Sequence, residues 1–234
     1  MGAVALATPN FVERVARVLE RVDYRRADAA EDREAIYRLR YEAYLREGAI
    51  PPNFSKRFTD SYDETENNWL FGVHIDGRLA SSMRLHVTTP ACSDLPGLHV
   101  FEDLIAPEIA AGKVLVDPTR FVTDREHSRL YPELPYVTLR LPWLALEYFT
   151  ADIMLATVRG EHQAFYKRLW GARSMCPPRP YPTLTKPIAC MTLDYPAARD
   201  NVHYRYPFFR STVFERRMLF ERPAPAVEQA PAAA

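Results

Sequence analysis

Apolar and polar positions alternate with recognisable periods along most of the chain. From Phe11 to Val22, the residues Phe11, Val15, Val18 and Leu19 share one face, with arginines and glutamates opposite, which is helical spacing. Tyr24–Asp28 reads as a short strand. Asp32–Arg46 is helical again, with Ile36, Leu39, Tyr41 and Tyr44 set among charges. Glu47-Gly48 stops that helix and Pro51-Pro52 prevents its restart. Trp69–Ile75 and Leu79–Val87 are strand-like runs joined by Asp76-Gly77, a strong hairpin signal. Lys113–Thr123 is a further strand, in which Pro118 predicts a bulge or an edge. Pro135–Thr150 reads as one apolar helix and Asp152–Val158 as a buried strand. Gly160–Trp170 is an amphipathic helix ended by Gly171, and Ile188–Asp194 is a late strand. This succession predicts an α/β (α+β) layer architecture, a central mixed and partly antiparallel sheet flanked by helices. The expected organisation is a helical extension over 1–22, one domain over 23–222 and a disordered tail over 223–234, where Pro, Ala, Val, Glu and Gln leave little to bury.

Composition narrows the class. Apolar residues are 47% of 234, enough for a sizeable core, and 30 basic residues balance 30 acidic ones. That balance argues against a dedicated nucleic-acid binder. Three cysteines without close pairing, Cys92, Cys176 and Cys190, do not suggest a disulfide framework and fit a reducing compartment; core or loop positions are expected for Cys176 and Cys190. No metal-ligand spacing is present, so no metal is expected. Met1–Asn10 lacks the features of a secretory signal, and no run is long enough to span a bilayer. A cytoplasmic protein is the expectation, with peripheral membrane contact left open.

Four short motifs occur in order. Arg40-Tyr41-Glu42-Ala43-Tyr44 is followed by Asp60-Ser61-Tyr62-Asp63, then by Met83-Arg84-Leu85, then by Asp117-Pro118-Thr119-Arg120-Phe121. The succession resembles that of the acyl-homoserine-lactone synthases, with Asp117 where those enzymes usually carry glutamate. Glu161–Gly171 is similar to the "aFY-x-x-lG" helix of GNAT acyltransferases. Over roughly residues 23–195 the chain resembles the N-acyl amino acid synthases. The resemblance implies a GNAT-like fold and transfer of a long-chain acyl group to the amine of an amino acid or related small molecule. The glycine-rich loop that GNAT enzymes use for the coenzyme A pyrophosphate is absent, because Asp124–Glu133 contains no glycine. The implied donor is therefore the phosphopantetheine thioester of acyl carrier protein, with acyl-coenzyme A second. A basic rim including Arg125, Arg129, Lys167 and Arg168 is expected to meet the acidic carrier. A lactone synthase using S-adenosylmethionine, or a non-catalytic module binding carrier protein or lipid, are the alternative readings.

Acyl transfer from a thioester needs a neutral amine, a stabilised oxyanion and a proton for the leaving thiolate. Asp117, His162 and Tyr166 are the catalytic candidates. His162 and Tyr166 lie four apart on one predicted helix face; Tyr166 suits protonation of the thiolate, and His162 suits a base or a simple polar contact. Asp117 and Arg120 shape the site or form a structural ion pair, and Arg84 can join them. Arg84 or Arg120 suits an acceptor carboxylate. Asp60 and Asp63 receive the ammonium or cap a loop, and Arg40 fixes that loop by pairing with them. Tyr44 belongs to the substrate pocket or to the core. The strand edge Arg120, Phe121, Val122 and Thr123 is expected, on the resemblance, to offer backbone N–H groups to the oxyanion and the pantetheine arm.

Overall fold

The computed structural model describes residues 10–182 and 184–222; the tail expected over 223–234 and most of the Met1–Asn10 segment lie outside the described residues. The sheet has seven strands: β1 (Val22–Arg26), β2 (Asn68–Ile75), β3 (Arg78–Val87), β4 (Leu115–Thr123), β5 (Ile153–Arg159), β6 (Arg173–Ser174) and β7 (Ile188–Asp194). Their order is β1-β2-β3-β4-β5-β7-β6, antiparallel except for the β4–β5 pair. The described helices are α1 (Phe11–Leu19), α2 (Ala30–Arg46), α3 (Leu98–Ala110), α4 (Arg125–Leu130), α5 (Leu134–Thr138), α6 (Arg140–Tyr148), α7 (Gln163–Trp170), α8 (Tyr195–Arg205) and α9 (Val213–Phe220). No described helix is long and apolar enough to cross a membrane.

Local chemistry accounts for most boundaries. Asn10 caps α1 through a capping box with Glu13. Asp76 and Gly77 both adopt positive φ, 49° and 79°, which is the twist a two-residue hairpin between β2 and β3 requires. Gly171 closes α7 in the left-handed region at φ 77°. The single helix expected over Pro135–Thr150 is two, α5 and α6, divided at Leu139. Pro142 is the third residue of α6, so its missing N–H falls in the first turn where no intrahelical partner is needed, and the ring prevents α5 from running straight through.

One main core lies on the sheet face covered by α1, α5, α6, α8 and α9. It includes Phe71, Met83, Leu85, Val116, Met154 and Met191 of the strands, with Trp143 packed at 5.1–5.9 Å on Trp170, Tyr195 and Phe209. Val15 and Val18 of α1 belong to the same cluster. The opposite face carries a smaller cluster of Leu115, Ile153, Leu155 and Cys190 against Phe101 and Ile105 of α3. Alternation along β4 puts Asp117 on this second face, next to Leu115 by period two.

Candidate functional site

The site is the place where β4 and β5 part. The two strands pair only at Leu115↔Ile153 and Val116↔Met154, while β5 stays paired to β7 along its whole length. Beyond residue 116, β4 therefore keeps β3 on one side and has an open edge on the other. Leu115 accepts from Thr88 N and Asp124 N donates to Ala80 O, so the alternation of an antiparallel ladder turns the backbones of Pro118, Phe121 and Thr123 to the open side. Pro118, which lacks an N–H, thus sits where no ladder partner exists.

The bulge expected at Pro118 lies two residues later. Ser82 pairs with Val122 and Arg84 with Thr119, which leaves an extra residue on β4 at Arg120–Phe121. Arg120 takes φ 55°, a costly conformation for a side chain with a Cβ, about 1–2 kcal/mol. In a regular strand Asp117 and Arg120 would point to opposite faces; the bulge re-aims Arg120.

Arg120 does not pair with Asp117. It donates to Asp60 at 2.6 Å and lies over the Phe58 ring at 4.6 Å and the Tyr44 ring at 5.7 Å. Arg84 donates to Asp60 at 2.5 Å and to Thr119 at 3.1 Å and stands 3.0 Å from Asp63. Arg40 grips Asp63 with both carboxylate oxygens at 2.8 and 2.9 Å, each side chain wholly buried. Asp60 and Asp63 are thus committed to three arginines, and neither they nor Arg84 is open to an acceptor's ammonium or carboxylate. Asp60 and Asp63 also close a capping box at the 3-10 turn Ser61–Glu64, the loop-capping alternative. Burial alone would raise the Asp60 carboxyl, but Arg84 and Arg120 outweigh it and hold it well below the usual carboxylate range; Arg40 and Arg84 do the same for Asp63.

Asp117 stands apart from that network. Its Oδ2 accepts from Gly97 N at 2.8 Å, while Oδ1 is buried without a partner. Burial pushes its carboxyl up to about 6, against the pull of Gly97 N–H and Arg84. Its cross-strand partner is His86, whose Nε2 is 3.0 Å from Tyr62 O and from Thr65 Oγ1 and whose Nδ1 has no partner. A carbonyl only accepts, so the proton is on Nε2. Burial, with Arg84, pushes this imidazole down to about 3, so it is neutral.

A cavity of about 420 Å³ fills the gap between the strands and is bordered by Tyr44, Met83, Arg120, Phe121, Val122, Thr123, Ala156, His162 and Tyr166. Of the candidate residues, Arg40, Asp60, Asp63, Arg84 and Asp117 are not on its wall. Burial pushes the Tyr166 hydroxyl well above its ordinary value, keeping it a neutral donor. His162 is exposed at the mouth. Its Nε2 lies 2.8 Å from an Arg159 amine, so the lone pair a base needs is engaged, and partial loss of water together with Arg159 lowers its affinity for a proton.

Tyr181 was not legible as a site residue. It lies on the segment between β6 and β7, with Leu184 and Lys186 of the same segment on the cavity wall. The prolines there signal rigidity, but nothing in the sequence places them over β4. Gly97, His86 and Phe58 were missed for the same reason.

The profile of the family described as N-acyl amino acid synthase FeeM matches residues 35–194. No curated protein matches in sequence. Among solved structures, FeeM, an N-acyl amino acid synthase from uncultured soil microbes, superposes with TM-score 0.65 at 19% identity, covering 79% of this chain and 98% of its own. The coenzyme A-dependent acyl-homoserine lactone synthase BjaI superposes with TM-score 0.53 at 15% identity, covering 80% and 89%. An acyl-CoA N-acyltransferase from Pseudomonas aeruginosa gives TM-score 0.50 at 18% identity, covering 74% and 97%. The splayed β4–β5 pair and the order of strands agree with that GNAT-like fold, and with its profile match over more than half of its length the chain belongs to the FeeM N-acyl amino acid synthase family and is an N-acyltransferase.

Proposed function

We propose that this protein joins a long-chain fatty acyl group, delivered as the phosphopantetheine thioester of acyl carrier protein, to the amine of a free amino acid or a related small molecule. The observation that carries this reading is the cavity between β4 and β5, open-edged along β4, with the buried Asp117 and its one unpartnered oxygen directly preceding Pro118 of the cavity wall. The pantetheine arm lies along the free edge of β4. Asp117 receives the proton of the acceptor's ammonium, a task suited to a carboxyl held near 6. The amine nitrogen attacks the thioester carbonyl, and the outward N–H groups of Phe121 and Thr123 stabilise the oxyanion. The C–S bond breaks as Tyr166 protonates the leaving thiolate, and the second amine proton, lost as the amide forms, restores the Tyr166 hydroxyl, so that one proton remains on Asp117 to leave to solvent.

Charge supports an acceptor carrying a carboxylate. Arg40, Arg84 and Arg120 form ion pairs with Asp60 and Asp63, and Arg84 also acts on the more distant Asp117, so the cluster is rich in guanidinium groups. Arg120 is the member on the cavity wall, so it, rather than the fully enclosed Arg84, is the proposed reader of that carboxylate. The α4 N-terminus supports the carrier protein over coenzyme A. Asp124 caps its own helix by accepting from Glu126 N and His127 N, placing a carboxylate where a diphosphate would need free N–H groups.

The test is amide formation by the purified full chain with an amino acid, its methyl ester and its decarboxylated amine. The free amino acid is expected to turn over at least tenfold faster than the other two, because an acceptor lacking the carboxylate forgoes the charged hydrogen bonds to Arg120. Equal use of all three removes the amino-acid acceptor from the proposal.

A further inference from the structure

The peptide unit between Pro96 and Gly97 is hydrogen-bonded at both ends. Its N–H donates to Asp117 Oδ2 at 2.8 Å, and its carbonyl accepts from the Tyr181 hydroxyl at 3.3 Å. A peptide whose carbonyl accepts a bond is a stronger donor at its N–H, since hydrogen bonds in a chain polarise one another. The place is also tight: a Cβ on Gly97 would stand 3.1 Å from Asp117 Oδ2 and 2.9 Å from Ile105 Cδ1, so the carboxylate and the Ile105 side chain would both have to shift.

Tyr181 is itself held. The segment carrying it contains Pro177, Pro178, Pro180, Pro182 and Pro187, each with a fixed φ. On one side Arg179 donates to Asp103 at 2.6 and 2.8 Å and to Val100 O at 3.0 Å. On the other, Thr185 bonds Gly48 O at 2.7 Å and Ala49 O at 3.0 Å. The segment is thus a strap pinned to α3 and to the end of α2, with its phenol aimed at the peptide that holds Asp117.

We infer that Tyr181 is a positioning residue for the acyl transfer: through the Pro96–Gly97 peptide it orients the Asp117 carboxylate so that Oδ1 is presented to the acceptor amine. The inference rests on the reading of Asp117 as the proton acceptor. The titratable and charged groups facing Asp117 are Arg84 and His86 from β3, Tyr62 from the 3-10 turn, Cys190 from β7 and Tyr181 itself. Burial takes His86 down to about 3 and takes Cys190 and Tyr181 up to about 12, and Tyr62 also moves upward, so near pH 6 the carboxyl of Asp117 titrates alone.

The experiment compares wild type with Tyr181→Phe, which removes one hydroxyl and keeps the ring. The carboxyl of Asp117 is followed by carbon-13 resonance, assigned with Asp117→Asn, and kcat/KM is measured against pH. Loss of the phenol weakens the bond to Oδ2, so the carboxylate is less favoured. Its titration and the acid limb of kcat/KM are expected to move together to higher pH by about 0.5 unit, with kcat several-fold lower. A Tyr181→Phe protein that loses melting temperature or gains KM while both titrations stay in place overturns the inference and leaves Asp117 as base untouched. Full activity in Asp117→Asn removes the base itself, and with it the inference, whatever Tyr181 does to the carboxyl.

Discussion

Asp117 is costly to keep charged. Its carboxyl sits at about 6 in the fold against about 3.9 in an unfolded chain, so the folded state holds the proton more tightly. The sign follows: the penalty is absent below the unfolded value, grows as pH rises and is complete above pH 6, where it amounts to roughly 3 kcal/mol. Asp117→Asn removes the charge but leaves a buried amide donor, which costs about 1–3 kcal/mol. The variant is expected to lose activity at least tenfold, about 1.4 kcal/mol of barrier. Its stability relative to wild type is expected to improve by roughly 1–1.5 kcal/mol between pH 5 and pH 8. Thermal melts at the two pH values check this, and a gap that does not change with pH means the carboxyl is not held high. Asp63 behaves oppositely, held low by Arg40 and Arg84, while burial lowers Arg40 itself. Removing one partner leaves the other charge buried, so Arg40→Ala is expected to cost about 3–5 kcal/mol in denaturant unfolding. The low carboxyls of Asp60 and Asp63 add stability above the unfolded carboxylate value that is lost only as the medium becomes strongly acidic.

At the scale of elements, α4 bears on the proposed preference for carrier protein over coenzyme A. Asp124→Ala removes a cap on two N–H groups, and its stability cost is about 1 kcal/mol. It also exposes those donors at the end of β4. Turnover with acyl-coenzyme A is expected to rise relative to acyl carrier protein, measured as the ratio of the two kcat/KM values; an unchanged ratio means the cap does not bear on donor choice. Elements whose signal is local were legible in the sequence. The Asp76-Gly77 hairpin, the stop at Gly171 and the bounds of β7 follow from turn chemistry and period alone. α3 was not predicted, with Pro107 inside it and non-helical geometry at Phe101, nor were α8 and α9, whose mean apolar character is weak. The four motifs anticipated the pairing of Arg40 with the Asp60–Asp63 loop but not the pairing of Arg120. Asp60 meets Arg120 across 60 positions of sequence, a contact no spacing rule reaches, and the alternative of an Asp117–Arg120 ion pair is not realised because the bulge aims Arg120 at Asp60.

For the whole molecule, net charge says little and its distribution says more. The chain balances 30 basic against 30 acidic residues, yet exposed cations stand on both helices that follow β4 and β5, alongside exposed Glu126 and Glu161. β4 and β5 are parallel, so α4, which follows β4, and α7, which follows β5, start at the same end of the sheet. Arg125 and Arg129 are exposed on the first, Lys167 and Arg168 in the last turn of the second, and exposed Lys186 stands at the cavity wall. A carrier protein of acidic surface would approach along that rim with its pantetheine arm directed into the gap. Such attraction between exposed charges acts over about 8–10 Å near physiological ionic strength and raises the association rate more than the intrinsic affinity. Raising salt from 50 mM to 500 mM is therefore expected to lower kcat/KM for acyl carrier protein by an order of magnitude while leaving kcat within about twofold. Reversing two rim charges, Arg125→Glu with Arg168→Glu, is expected to reproduce the high-salt value already at low salt, because neither side chain takes part in the core. Matched acyl groups on the two donors complete the comparison. Coenzyme A carries only a few negative charges and samples less of the rim, so its kcat/KM should respond weakly to both salt and charge reversal. If the two donors respond alike, or if acyl carrier protein is indifferent to the double reversal, the rim is not the docking surface and the case for a carrier-protein donor rests on the Asp124 cap alone.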